Sequence, residues 1–308
     1  MDAPPQPDRF ADAVIALPIH CRRCGYNLRG LPAVGRCPEC GTDVWQTVLH
    51  TVDPTASSLP RLRNPRAVGD AMLWLMLCML GATLLVLARP AARFADRFDP
   101  ATADALSRHV PPEVVFGSAL LAVAGFWSVV RLAPPRGQEP RGPVARDVRF
   151  VALGLVVWAI SATARGLMVR VAPSPDARVA DLAVTVALGA AAALVFAGLH
   201  GILRAIGLRS REYRTSRSGR QGVLVMIATV AGIVLGEIVT TLADAHAVVE
   251  VARITTMVCG LMLVVGLGYL TMNAAWIRRA LRLPPPSLAA VLRVVPEMPP
   301  HAGGSRAR

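Results

Sequence analysis

Six long apolar runs, a compact set of four cysteines and an uneven spread of arginine predict a mainly α protein: a six-helix transmembrane bundle with a small N-terminal β-knuckle module. Of the 308 residues, 54% are hydrophobic, and the mean hydropathy is +0.47. That is more apolar surface than a soluble globule of this size usually carries. In chain order the sequence reads as a disordered N-terminus (1–19), the knuckle module (20–45), a flexible linker (46–69), the six-span domain (70–283) and a disordered tail (284–308). The first 19 residues mix acids and prolines with no continuous apolar core, which is not the pattern of a signal peptide.

The module is defined by Cys21-Arg-Arg-Cys24-Gly and Cys37-Pro-Glu-Cys40-Gly, two Cys-x-x-Cys pairs separated by 12 residues. Four thiolates at this spacing can close tetrahedrally on one Zn²⁺, each pair forming a tight knuckle. Gly25 and Gly41 follow the pairs, where the chain must turn around the metal and a positive φ costs least. Cys21, Cys24, Cys37 and Cys40 are therefore the expected ligands and Zn²⁺ the expected cofactor. Cys78 and Cys259 stand alone within apolar runs and read as small buried hydrophobes. Thiols kept for a metal imply a reducing compartment. Between His20 and Trp45, four Arg face Glu39 and Asp43, and this +2 is cancelled by the net −2 of Zn²⁺ with four thiolates. Phosphate-driven binding to nucleic acid needs several uncompensated cations, so the expected contact of the ribbon is a protein. The stretch after the module holds Pro54, Ser57, Ser58, Pro60 and Pro65, the composition of a flexible linker.

The uncharged apolar runs lie at Ala71–Ala88, Val114–Val130, Phe150–Ala164, Leu182–Leu203, Gly222–Ala243 and Ile254–Ile277, the fifth interrupted only by Glu237. A bilayer core takes about 20 helical residues, and the third run reaches that length only by continuing through Arg165 to about Val169. Of the 33 arginines, 25 fall before span one, after spans two and four, and in the tail. Both termini are therefore expected in the cytoplasm. Trp74, Trp127 and Trp276 fall near the same ends, as interfacial tryptophans do. The result is three helical hairpins with their tips outside and the lipid bilayer around them.

Within the spans, Arg165 lies 15 residues beyond Phe150 and Glu237 lies 15 beyond Gly222. Both helices run outward, so both groups sit about 22 Å from the cytoplasmic boundary and are expected to pair. Gly232 and Gly236 beside Glu237 form a small-residue patch that lets a neighbouring helix come close. The chain contains no Lys, which excludes Schiff-base lysines, the P-loop lysine and Ser-Lys dyads. It also lacks His-Glu-x-x-His, Gly-x-Ser-x-Gly and Gly-x-Gly-x-x-Gly, so no catalytic residue is expected.

The string Cys21-x-x-Cys24-Gly-Tyr26-x-Leu28-x-Gly30-Leu31…Cys37-Pro-x-Cys40-Gly resembles the N-terminal zinc ribbons of multi-pass membrane proteins from planctomycete bacteria, a functionally uncharacterised group. The resemblance covers Cys21 to Gly41 and implies the four cysteines as ligands and a bacterial cytoplasmic membrane as the location. The same knuckles are similar to those of rubredoxin, whose site holds iron. There the pairs lie much further apart and an aromatic core surrounds the metal, whereas here only Tyr26 and Trp45 are near, which favours zinc. The expected function is that of an integral membrane protein with a cytoplasmic zinc-ribbon docking or structural module and no catalysis. The alternative is a small transporter or intramembrane enzyme using Glu237 and Arg165 with a regulatory ribbon. Transporters usually break their helices near midplane, and none of the six runs contains an internal Pro.

Overall fold

The computed structural model describes residues 10–57, 59, 62, 64–95, 114–132, 143–168, 175–216 and 222–294. The expected disorder at 1–9 and 295–308 lies outside these residues. The chain divides into two units, one built from both chain ends and the other from Leu62–Arg282.

The smaller unit opens with strand β1 (Ala13–Ile15) and, after the knuckles, helix α1 (Val44–Val52) and a single turn, α2 (Pro54–Ser57). Helix α1 starts where it does because Asp43 accepts the Trp45 N–H at 3.0 Å, filling one of the orphan donors of the first turn. Its Val44, Val48 and Val52 recur at the spacing of one helix face and are buried. Trp45, also buried, stacks on Phe10 with ring centroids 5.4 Å apart. The module therefore extends beyond Trp45, into what the sequence suggested was linker.

A larger correction comes from the other end of the chain. After the bundle come helix α10 (Leu288–Val291) and strand β2 (Leu292–Val294), and β2 pairs antiparallel with β1, setting Ile15 opposite Leu292 and Ala13 opposite Val294. Residues 13–15 and 288–294 are thus ordered parts of the module, not free ends. The physical reason is local: Val291 and Leu292 form an apolar pair, both buried in one small core with Ile15, Leu28 and Val48. Flanking Pro, Gly and Arg hide that pair in any average over the tail.

The larger unit contains α3 (Pro65–Ala95), α4 (Val114–Leu132), α5 (Pro143–Met168), α6 (Pro175–Gly207), the short α7 (Arg211–Thr215), α8 (Val223–Leu242) and α9 (His246–Arg282). Six of these are long and apolar enough to cross a membrane, over Pro65–Ala88, Val114–Leu132, Val144–Met168, Val179–Gly207, Val223–Leu242 and His246–Arg282. The third reaches 25 residues because the helix also begins earlier than its uncharged run. Each long helix packs antiparallel on the next, and α9 returns against α3, closing the sequence of contacts.

Small residues set how closely the helices approach. A Cβ on Gly154 of α5 would come within 2.7 Å of the Ala191 carbonyl oxygen on α6, and one on Gly198 of α6 would collide with the Asp147 carbonyl of α5. Helices α8 and α9 meet the same way, Gly232 facing the Cys259 sulfur and Gly236 the Ala252 backbone and Thr256 side chain. Leu75, Leu155, Phe196, Leu199, Leu267 and Ile277 fill the interior, where the Trp158 indole donates to the Ser118 hydroxyl at 2.7 Å. The outside is equally apolar: Leu120 is 71% exposed and Leu224 77%. A soluble bundle would not leave such faces bare, whereas helices surrounded by lipid do.

Candidate metal centre

The two Cys-x-x-Cys segments fold as copies of one turn, offset by 16 positions, with the same three hydrogen bonds in each. Gly25 N–H donates to Cys21 O and Gly41 N–H to Cys37 O, both at 2.9 Å. Cys21 N–H donates to Tyr26 O and Cys37 N–H to Thr42 O, both at 2.8 Å. One step outside, Leu28 N–H reaches Ile19 O at 2.8 Å and Val44 N–H reaches Gly35 O at 2.9 Å. The turns require a positive φ at Gly25 (77°) and Gly41 (68°), the region where an L side chain is strained.

This repetition gives the four sulfurs a local two-fold arrangement. Cys21 Sγ lies 3.6 Å from Cys40 Sγ and Cys24 Sγ 3.6 Å from Cys37 Sγ, so the first cysteine of each knuckle meets the second of the other. All four ligand atoms lie within 4.8 Å of one another, and the cluster could hold a metal ion. Tetrahedral bonds of about 2.3 Å separate the sulfurs by about 3.8 Å, so this set fits with little movement. An all-sulfur donor set suits soft or borderline metals and excludes hard cations that demand oxygen.

The symmetry fails at one position, two residues after each second cysteine. After Cys40 stands Thr42, whose Oγ1 lies 3.1 Å from the sulfur; once the sulfur is ionised, the hydroxyl is the donor. That hydrogen bond, with the Thr42 backbone N–H, brings the Cys40 thiol down to about 6. After Cys24 stands Tyr26, whose backbone N–H also favours the thiolate, but desolvation of the sulfur against its three neighbouring sulfurs outweighs it and pushes Cys24, though the residue is exposed, up to about 12. Cys21 is lowered by backbone hydrogen bonds from Cys24 and Arg23. Cys40 is thus the readiest thiolate of the set, whereas Cys24 would yield its proton in exchange for a metal. Thr42 escaped notice in the sequence because only the Cys-x-x-Cys-Gly frame was read; its offset from Cys40 was the available signal.

The second candidate pair does not form. Arg165 donates from Nε to Asp181 Oδ1 at 3.0 Å and from its Nη2 to the Thr185 hydroxyl and the Asp181 carbonyl, all on α6. Glu237 is on α8, and α6 packs against both α5 and α8, standing between them. Equal depth was a sound inference for each helix alone, but depth does not place two helices side by side. The hairpin partner Asp181, just outside the fourth apolar run, is the nearer acid.

A charged cluster the sequence reading passed over ties the first long helix to the last. Asp70 of α3 accepts from Arg278 Nε at 2.5 Å and from Arg282 Nη2 at 2.7 and 2.9 Å. The available signal was Arg278 and Arg282 four apart on one helix face. Comparison with known protein families, with curated proteins and with solved structures gave no match.

Proposed function

We propose that this chain is a multi-pass protein of a bacterial cytoplasmic membrane, with both termini in the cytoplasm and a zinc ribbon that serves as a structural and docking module without catalysis. The observation that carries it is the closed set of four cysteine sulfurs at Cys21, Cys24, Cys37 and Cys40. With four protein ligands a tetrahedral zinc keeps no open position for a substrate or water, which is the arrangement of structural sites. When bound, the ion would supply folding energy to the module. The arginine asymmetry supports the orientation, and Tyr26 and Val34, exposed on the module, support a protein as its contact. The transporter or intramembrane-enzyme alternative would have to use Arg165 from an ion pair with Asp181.

Elemental analysis of the purified protein tests the metal: about one zinc per chain is expected, and a visible iron absorption band with little zinc would replace this reading with a redox one. A reporter active only in the cytoplasm tests the orientation. It should work when fused after Trp45 or within 209–220 and stay silent when fused at Ala245.

A further inference from the structure

Helices α3 and α4 leave a groove of about 380 Å³ between them at the end of the bundle where Asp70, Arg131 and Arg278 meet. Its walls are Trp74, 53% exposed, and Trp127, 71% exposed, and its apolar stretch continues along Leu73 and Leu77. Arg131 lies one turn beyond Trp127, is exposed, and has no partner among the described residues. Asp70 is fully occupied: Arg282 binds both of its carboxylate oxygens and Arg278 one of them. Among the described residues, three guanidiniums stand against one carboxylate, which leaves this lining positive and its one acidic group already engaged.

We propose that this groove binds one anionic phospholipid, its phosphate on Arg131 and Arg278, its glycerol between the two tryptophans and an acyl chain along Leu73 and Leu77. Guanidinium groups match phosphate oxygens in charge and shape, tryptophans favour the headgroup level, and basic pockets between spans are a known form of lipid recognition. Phosphate alone would leave Trp74, Trp127 and Leu77 bare, which is why a lipid fits better than a free ion. The proposal rests on the six long helices being membrane spans and is independent of the metal and of the orientation.

The test uses the full-length protein in a zwitterionic detergent, with phosphatidylglycerol or phosphatidylcholine added and bound lipid counted by native mass spectrometry. One phosphatidylglycerol should bind at least tenfold more tightly than phosphatidylcholine. Arg131→Gln should weaken it about tenfold, the scale of one lost charge-assisted contact. Arg131→Lys should retain part of the preference and Arg204→Gln, on another helix, all of it. Equal binding of both lipids, wild-type binding by Arg131→Gln, or displacement of the lipid by millimolar inorganic phosphate would overturn the proposal. Reconstitution into phosphatidylcholine nanodiscs separates the two levels. Failure of the wild type to enter the discs rejects the spans, whereas normal entry without a phosphatidylglycerol preference in the titration rejects the groove alone.

Discussion

The two units are stabilised by different means. In the six-helix unit the backbone satisfies itself within each helix, and cohesion comes from close approach at glycines such as Gly154, Gly198, Gly232 and Gly236. In the small unit the described residues form two three-residue strands and three short helices around a core that includes Ile15, Leu28, Trp45 and Val48. A core of that size rarely holds a fold on its own, and small modules of this kind usually need a metal or a disulfide. One unit is thus held by many small contacts spread along its length, whereas the other gathers four sulfurs that could hold a metal ion beside a small core. The difference predicts which substitutions will be local and which will not.

The largest effect should follow from Cys37→Ser. Structural zinc sites contribute on the order of 10 kcal/mol to folding, so the variant should lose its metal and the knuckles should become protease-sensitive. Helical content by circular dichroism should scarcely change. A collapse of the long helices together with the module would show that the two units are not energetically separate.

Next in size is Val291→Asp, which places a carboxylate in the core beside Ile15 and Val48. Burying an unpaired charge costs several kcal/mol, so β2 should detach and metal affinity should fall, again with the bundle intact. Hydrogen exchange at the Ala16 amide reads this directly, since Ala16 N–H donates to Val291 O at 2.8 Å, whereas the Ile15 amide, bonded to Leu31 O, serves as the control. Protection that survives the substitution would mean the tail contributes nothing to the module.

Gly198→Val works in the opposite unit. Its side chain would strike the Asp147 carbonyl, which is helix backbone and cannot swing aside, so a cost of about 3 kcal/mol is expected. Thermal unfolding in detergent should occur earlier while the metal content stays at the wild-type value. Ser118→Ala, which strands the Trp158 indole N–H, should cost about 1 kcal/mol in the same assay.

The smallest effect concerns Thr42→Val. The Thr42 hydroxyl lowers the Cys40 thiol to about 6, so protons compete less well with a metal for this sulfur as pH falls. Without the hydroxyl the thiol titrates higher, so the midpoint of acid-induced metal release should move up by less than about one unit. A midpoint that moves down would show that Thr42 opposes the thiolate.

Much of this was legible in the sequence because it depends on local periodicity. The four-sulfur cluster follows from ligand spacing, and the six long helices follow from apolar length, both properties of short windows. Non-local pairings were not legible. Depth pairs Arg165 with Glu237, yet Asp181 on the next helix in sequence holds it, and nothing in one helix reports which helix lies beside it. Asp70 with Arg278 and Arg282 spans over 200 positions. The β1–β2 pairing was hidden for the same reason, since a three-residue strand has no visible period until its partner is known.

That pairing also fixes an order in time. Ile15 and Leu292 stand about 280 positions apart, and synthesis proceeds at about 5–20 residues per second. The knuckles emerge first, but β2 is not made until every span has been translated, tens of seconds later. The small module is therefore completed only after the six long helices, although its knuckles precede them. A chain that stops early, at any of the six long helices, carries the four cysteines without the strand that covers their core. In such a fragment Ile15 would lack its cross-strand partner Leu292, a local difference from the chain that carries both strands.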